Sequence, residues 1–141
     1  MPSLHALQRE LAGRAVLVAG YIAEAHATDE WPISSCRYNG GRGPVCVAAP
    51  RDDGERLALA RAFTDDFSFS LPMLVDAVSQ GDAFEKAYAP WPLRFYGIDG
   101  GGAPDAFELG FVAHPWQCSY DLGAARDWAL RAAEAREAAG A

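Results

Sequence analysis

The strongest structural signal in the chain is an apolar segment at residues 15–22, which reads AVLVAGYI. Because nearly every position in it is apolar, we expect a strand that is buried on both faces, as in a parallel sheet. A short helix is predicted before it, capped by Ser3, with Leu4, Leu7 and Leu11 on its apolar face and Gly13 at its end.

Helices and strands are predicted to alternate after this segment. Asp52 with Glu55 three residues later resembles a capping box and predicts a helix. Residues 73–75 are expected to form a short buried strand. Asp82 with Glu85 indicates another short helix in the same way.

The last third of the chain predicts a hairpin and a helix. Residues 94–99 and 107–113 have the pattern of strands, with a glycine-rich turn between them. Asp121 can cap the final helix. The element order predicts one α/β domain over residues 1–141, thioredoxin-like, with a mixed sheet that ends in an antiparallel hairpin and a C-terminal helix. That fold begins with a strand before its first helix, and here this strand is absent.

Composition excludes several classes of function. The net charge is −7, with 12 Lys and Arg against 19 Asp and Glu, so a nucleic-acid partner is not expected. No apolar run approaches the roughly 20 residues that span a bilayer. Cys36, Cys46 and Cys118 form neither a disulfide framework nor a zinc pattern, which favours a reducing, cytoplasmic compartment.

Three segments of the sequence resemble one family. Residues 21–31, YIAEAHATDEW, resemble the signature Tyr-Ile-Glu-Glu-Ala-His-x-Ser/Thr-Asp-x-Trp of the iodothyronine deiodinases. Residues 72–76, PMLVD, and residues 87–98, AYAPWPLRFYGI, resemble two further segments of the same family. The resemblance extends over nearly the whole chain and is closest to the soluble deiodinase-like proteins of microbes.

The resemblance implies a thioredoxin-fold oxidoreductase. Deiodinases are selenoenzymes that remove iodine from iodothyronines reductively with an external thiol, so the expected partners are a thiol reductant and a small aromatic or halogenated substrate. No bound cofactor is expected. The family also implies a homodimer, and its membrane anchor would precede Met1.

The family nucleophile, a selenocysteine or cysteine, lies between the first strand and the first helix, where the helix N-terminus favours an anion. In this chain the equivalent helix begins at Ser3, so we expect the nucleophile motif upstream of Met1. Three explanations stay open. The first is that the protein has lost the site. The second is that a UGA codon for selenocysteine has been treated as a stop, which places the start of the predicted gene at the next Met. The third is that the chain is truncated for another reason.

Glu24, His26 and Tyr21 are the candidate catalytic residues. Glu24 and His26 lie two positions apart at the end of the predicted strand and would share a face if the strand continued, which suits a proton relay. The resemblance makes them the family's catalytic Glu and its neighbouring His, and an ordinary hydrogen-bonded pair is the alternative. Tyr21 would point away from Glu24 in a regular strand; it would be a core residue or would line the site.

Trp31, Pro92 and Arg94 are the candidate substrate-binding residues. Trp31 could stack on an aromatic ring or anchor the following loop. Pro92 occupies the position where thioredoxin folds hold a cis-proline, and otherwise it is a proline at the start of a strand. The family match lets Arg94 bind a carboxylate or phenolate, and an exposed arginine is the alternative.

Two departures from the family pattern argue against specificity of this chain for iodothyronines. Ala23 replaces the first Glu of the signature, and residues 32–50 lack the second His that the family carries there. Cys36 and Cys46 lie in this stretch, as resolving thiols or as ordinary loop cysteines. A peroxiredoxin-like reductase and a non-catalytic binding module therefore stay open as alternative functions.

Overall fold

The computed structural model describes residues 2–25, 27–30, 47–89, 94–99, 108–112 and 122–140. They form a mixed α/β protein. Its helices and strands, in chain order, are α1 (Pro2–Glu10), β1 (Ala19–Tyr21), α2 (Asp53–Phe67), β2 (Met73–Val75), a 3₁₀ turn (Val78–Gln80), α3 (Ala83–Tyr88), β3 (Tyr96–Asp99), β4 (Glu108–Val112) and α4 (Leu122–Gly140).

The described residues belong to two compact units. The first unit takes its residues from Met1–Ala19, Phe69–Pro72 and Pro90–Ala141. The second unit takes them from Gly20–Ser68 and Met73–Ala89. The chain enters and leaves each unit more than once.

Helices α1 and α4 form the core of the first unit. Leu7 of α1 and Leu11, in the turn that follows it, are buried with Ala129 of α4, and Leu4 is partly buried. The predicted apolar face is therefore confirmed, although the helix ends one residue before Leu11. Gly13 follows the helix with a φ of +79°, a left-handed conformation that glycine adopts without strain. The helix begins at Pro2, however, which places Ser3 inside its first turn rather than before it.

The hairpin of the first unit matches its prediction. β3 pairs antiparallel with β4, and a bulge falls between Gly97 and Ile98. Gly97 is buried under α4: a side-chain carbon at this position would lie 2.5 Å from the ring of Trp128. Asp121, the predicted cap of α4, lies outside the described residues.

The strand at residues 15–22 is shorter and more exposed than predicted. Only Ala19–Tyr21 pairs with another strand, and Val16 and Val18 are 74% and 50% exposed. The expectation of burial on both faces was wrong. The partner β2 has only three residues, so the chain before Ala19 has no strand beside it among the described residues and its side chains alternate in exposure.

β1 and β2 run parallel to each other. The backbone N–H of Ala19 donates to the Pro72 carbonyl at 2.8 Å, and the N–H of Asp76 donates to the Tyr21 carbonyl at 2.9 Å. From the first bond to the second, the residue numbers increase in both strands, so the two strands run in the same direction. Within the described ranges the strands therefore form two separate two-stranded sheets, β1 with β2 and β3 with β4.

Helix α2 begins as predicted. The Asp52 carboxylate accepts the Glu55 N–H at 2.8 Å, and the Glu55 carboxylate accepts the Arg51 N–H at 2.8 Å. The reciprocal bond of the capping box thus falls one residue earlier than in the usual form. The buried positions of α2 are Arg56 and Ala60.

Helix α3 is present, but Asp82 does not cap it. Asp82 adopts a left-handed conformation and its side chain accepts no capping hydrogen bond. Asp76, at the end of β2, accepts the N–H groups of Phe84 at 3.0 Å and Glu85 at 2.9 Å instead. The cap of α3 therefore comes from a residue six positions before Asp82, which the local pattern could not indicate.

Helices long and apolar enough to cross a membrane are not found in the described portions of the chain.

Candidate functional site

The end of β1 brings two of the predicted catalytic residues together. β1 ends at Tyr21 and the chain bends at Ala23, so the alternation of a regular strand stops before Glu24. The Tyr21 hydroxyl donates a hydrogen bond to Glu24 Oε1. Opposite directions were expected for these side chains in a regular strand, and that condition is not met because β1 ends at Tyr21.

The surroundings of Tyr21 keep its phenol protonated. Its ring is half-buried and meets the Phe63 ring edge-on, with 6.1 Å between the ring centroids. Burial, and then the hydrogen bond to Glu24, raise the pKa of Tyr21 well above its ordinary value. The positive charge of Arg56 acts in the other direction and lowers this pKa.

A phenol that donates to a carboxylate can pass a proton along the hydrogen bond. Glu24 is only partly buried, so solvent reaches its carboxylate while Tyr21 lies against Phe63. In this pair the Tyr21 ring is covered by Phe63, and the Glu24 carboxylate is accessible to solvent. This arrangement is suited to delivering a proton to a bound molecule and to recovering it from water.

A buried arginine behind this pair was not predicted from the sequence. Arg56 is 3% exposed, and its Nη1 donates to the Asp76 carbonyl at 2.9 Å and to the Asp82 carboxylate. The sequence contains only a weak indication that this arginine is buried. Arg56 lies four positions before Ala60, on the apolar side of α2, where a charge needs partners from elsewhere in the fold.

Arg94, in the first unit, immediately precedes β3. Its side chain is half-buried, and its Nε is buried with no hydrogen-bond partner in the part of the chain that the structure describes. Arg94 is therefore partly buried and lies just before the strand, not on it. An unsatisfied buried donor on a cation is suited to an anionic ligand group.

The other candidate residues lie outside the described residues. These are His26, Trp31 and Pro92, together with the loop cysteines Cys36 and Cys46. Of the predicted catalytic set, the structure brings together Tyr21 and Glu24. Comparison of the chain with protein-family models, with curated proteins and with solved structures found no match.

Proposed function

We propose that this chain is part of a deiodinase-like oxidoreductase with a thioredoxin-like fold, and that it supplies the proton which the reaction consumes. The observation that carries the proposal is the hydrogen bond from the Tyr21 phenol to the Glu24 carboxylate. It forms inside residues 21–31, the segment that resembles the family signature. It also follows the carboxyl end of a parallel strand, where α/β folds bind their ligands.

The arrangement of strands supports the proposed fold. A parallel pair, β1 with β2, is followed by an antiparallel hairpin, β3 with β4, and by a helix that packs on β3. In a thioredoxin-like fold one further strand joins such a parallel pair to such a hairpin. The family nucleophile follows that strand and precedes the first helix.

The proposed reaction is a reductive removal of iodide. An upstream selenolate or thiolate attacks the iodine, the carbon–iodine bond breaks, and a chalcogen–iodine bond forms. The electron pair of the broken bond stays on the aryl carbon, which takes a proton from the Tyr21–Glu24 pair. Such a carbon is far more basic than a phenolate, so a phenol with a raised pKa can still protonate it.

Two equivalents of thiol then complete the cycle. The first displaces iodide from the chalcogen and forms a mixed bond to sulfur, and the second restores the selenol or thiol and leaves as a disulfide. His26 is proposed to assist the proton transfer. Arg94, in the first unit, is a separate candidate for binding an acidic group, since its Nε has no hydrogen-bond partner among the described residues.

The test uses the protein expressed from its upstream reading frame, with any UGA codon decoded as selenocysteine or replaced by a cysteine codon. We expect it to release iodide from thyroxine in the presence of dithiothreitol. Glu24→Gln is expected to reduce kcat by about 10²-fold or more, the usual contribution of a positioned acid or base. Glu30→Gln, which removes an exposed carboxylate in the following turn, serves as the matched control.

The alternatives give different results in the same assay. Turnover of peroxide without iodide release selects the peroxiredoxin-like reductase, and binding of thyroxine with no turnover selects the binding module. The 141-residue chain alone is expected to release no iodide, because none of its three cysteines occupies the nucleophile position of the family. Iodide release by that chain would contradict the proposed mechanism.

A further inference from the structure

Arg56 is a charged side chain buried in the second unit. Its residue is 3% exposed, and its Nε has no hydrogen-bond partner within the described residues. Its Nη1 is shared between the Asp76 carbonyl and the Asp82 carboxylate. An apolar side chain on this face of α2 would avoid the desolvation of a charge, so the position of Arg56 calls for a reason other than packing.

Three routes lead from Arg56 to Tyr21. Arg56 binds the carbonyl of Asp76, and the N–H of the same residue donates to the Tyr21 carbonyl at 2.9 Å. Asp76 also caps α3, whose Phe84 ring lies beside Gly20, the neighbour of Tyr21. The third route runs along α2 itself.

That third route ends on the phenol ring. Phe63 lies seven positions after Arg56, about two turns further along α2, and its ring meets the Tyr21 ring edge-on. The backbone, the neighbouring residue and the ring of Tyr21 are thus each held by a group tied to Arg56 or to its helix. The hydroxyl of the same residue donates to Glu24.

We propose that Arg56 is the positioning residue of the Tyr21–Glu24 pair. Its guanidinium binds the end of β2 and the residue before α3, and so holds the end of β1 where the phenol reaches the carboxylate. The significance of this position for catalysis rests on the proposed function. The position itself is a property of the chain and can be measured without any substrate.

The measurement is proton NMR of the Tyr21 hydroxyl in the 141-residue chain. The resonance is assigned by its disappearance in Tyr21→Phe. In Arg56→Gln we expect the hydroxyl proton to exchange with water roughly tenfold faster, a factor that corresponds to about 1.4 kcal/mol. Arg56→Lys is expected to accelerate the exchange as well, because one ammonium lacks the planar fork of donors.

The matched control is Ser79→Ala. Ser79 binds Asp53 in the first turn of α2 through its N–H at 2.9 Å and its hydroxyl at 2.6 Å. The variant loosens the same end of α2 without touching Arg56, and we expect it to leave the Tyr21 hydroxyl unchanged. Circular dichroism confirms that each variant is folded.

Two outcomes would overturn the proposal. One is an unchanged hydroxyl exchange rate in a folded Arg56→Gln or Arg56→Lys protein. The other is an acceleration in Ser79→Ala as large as in the Arg56 variants, which would make the effect a general loosening. If Arg56→Gln does not fold, Arg56→Lys alone decides between the two results.

The upstream-extended protein adds a kinetic readout. There Arg56→Gln is expected to lower kcat roughly tenfold with KM unchanged, because Arg56 acts through Tyr21 and not on the substrate. A roughly tenfold fall in kcat/KM caused by a higher KM, with kcat unchanged, would contradict the positioning role. If the unaltered extended protein has no activity, the proposed function fails, while the hydroxyl measurement still tests the role of Arg56.

Discussion

The chemistry of the candidate site depends on where a strand stops. Tyr21 and Glu24 are three positions apart and would face opposite sides of a continuous strand. Because β1 ends at Tyr21 and the chain bends at Ala23, the phenol donates to the carboxylate instead. Arg56, buried behind them, is the charged group that the local sequence did not reveal.

The ionisation of Tyr21 gives a prediction in base. Burial and the Glu24 hydrogen bond raise its pKa in the folded protein above the unfolded value of about 10. The stability that comes from the neutral phenol is therefore complete below about pH 10 and is lost as the pH rises toward the folded-state pKa. We expect the urea midpoint of the unaltered chain to fall more steeply above pH 10 than that of Tyr21→Phe.

Tyr88→Phe is the matched control for this prediction. It removes a hydroxyl from a more exposed ring and keeps the stacking of that ring on Phe84, with 4.7 Å between the centroids. Urea unfolding of the three proteins at several pH values between 8 and about 11.5 provides the comparison. Parallel curves for the unaltered chain and Tyr21→Phe would contradict the raised pKa.

At the scale of single elements, helices α2 and α3 differ in where their N-terminal caps come from. α2 is capped by its own flanking residue Asp52, and the sequence pattern was sufficient to predict it. α3 has only six residues, too few for a stable isolated helix. It depends on Asp76, which ties it to the end of β2.

Removal of that cap should be costly. Asp76→Ala leaves two N–H groups at the start of α3 without their acceptor, and we expect a loss of about 1–2 kcal/mol in the free energy of unfolding. Asp65→Ala, on the exposed side of α2, should change it by less than about 0.5 kcal/mol. Equal effects of the two variants in urea titrations would show that Asp76 is not a cap.

The contact between β3 and α4 allows no side chain at Gly97. A methyl group there would lie 2.5–2.8 Å from three ring carbons of Trp128, so the ring or the strand must move. We expect Gly97→Ala to lower the free energy of unfolding by about 1–3 kcal/mol, as overpacked cores do. Thermal or urea unfolding measures the loss.

Gly20→Ala is the comparison for this substitution. The added methyl group would meet the Phe84 ring at 3.5 Å, an ordinary contact distance. We expect little loss of stability, since alanine also restricts the unfolded chain more than glycine does. A larger loss at Gly20 than at Gly97 would contradict the described packing of Trp128.

Periodicity and capping patterns predicted most elements of this fold, because they are local signals. The hairpin, the helix at Asp52 and the apolar face of Leu7 and Leu11 are all confirmed. The cap from Asp76 and the buried Arg56 could not be predicted, because each is defined by a partner distant in sequence. The Tyr21–Glu24 bond could not be predicted either, because it depends on where β1 stops pairing with β2, a strand distant in sequence.

At the scale of the whole molecule, the short β1–β2 pair leaves apolar side chains exposed. Val16 is 74% exposed, Val18 50% and Leu74 68%. Exposed apolar strands are prone to pair with other chains. We expect the 141-residue chain to associate at rising concentration in sedimentation experiments, and Val18→Lys to reduce this association. Leu57→Lys, at an exposed position on α2, should not.

The central proposal is that this chain is part of a deiodinase-like oxidoreductase, a family whose selenol or thiol precedes the first helix. Sequencing the 5′ end of the transcript tests it most directly. We expect an open frame that continues upstream, encodes an apolar strand, and then carries a UGA or cysteine codon just before the residues of α1. A transcript that begins at Met1, or an upstream frame without such a codon, would contradict the claim, and the Tyr21–Glu24 pair would then be a structural hydrogen bond in a non-catalytic protein.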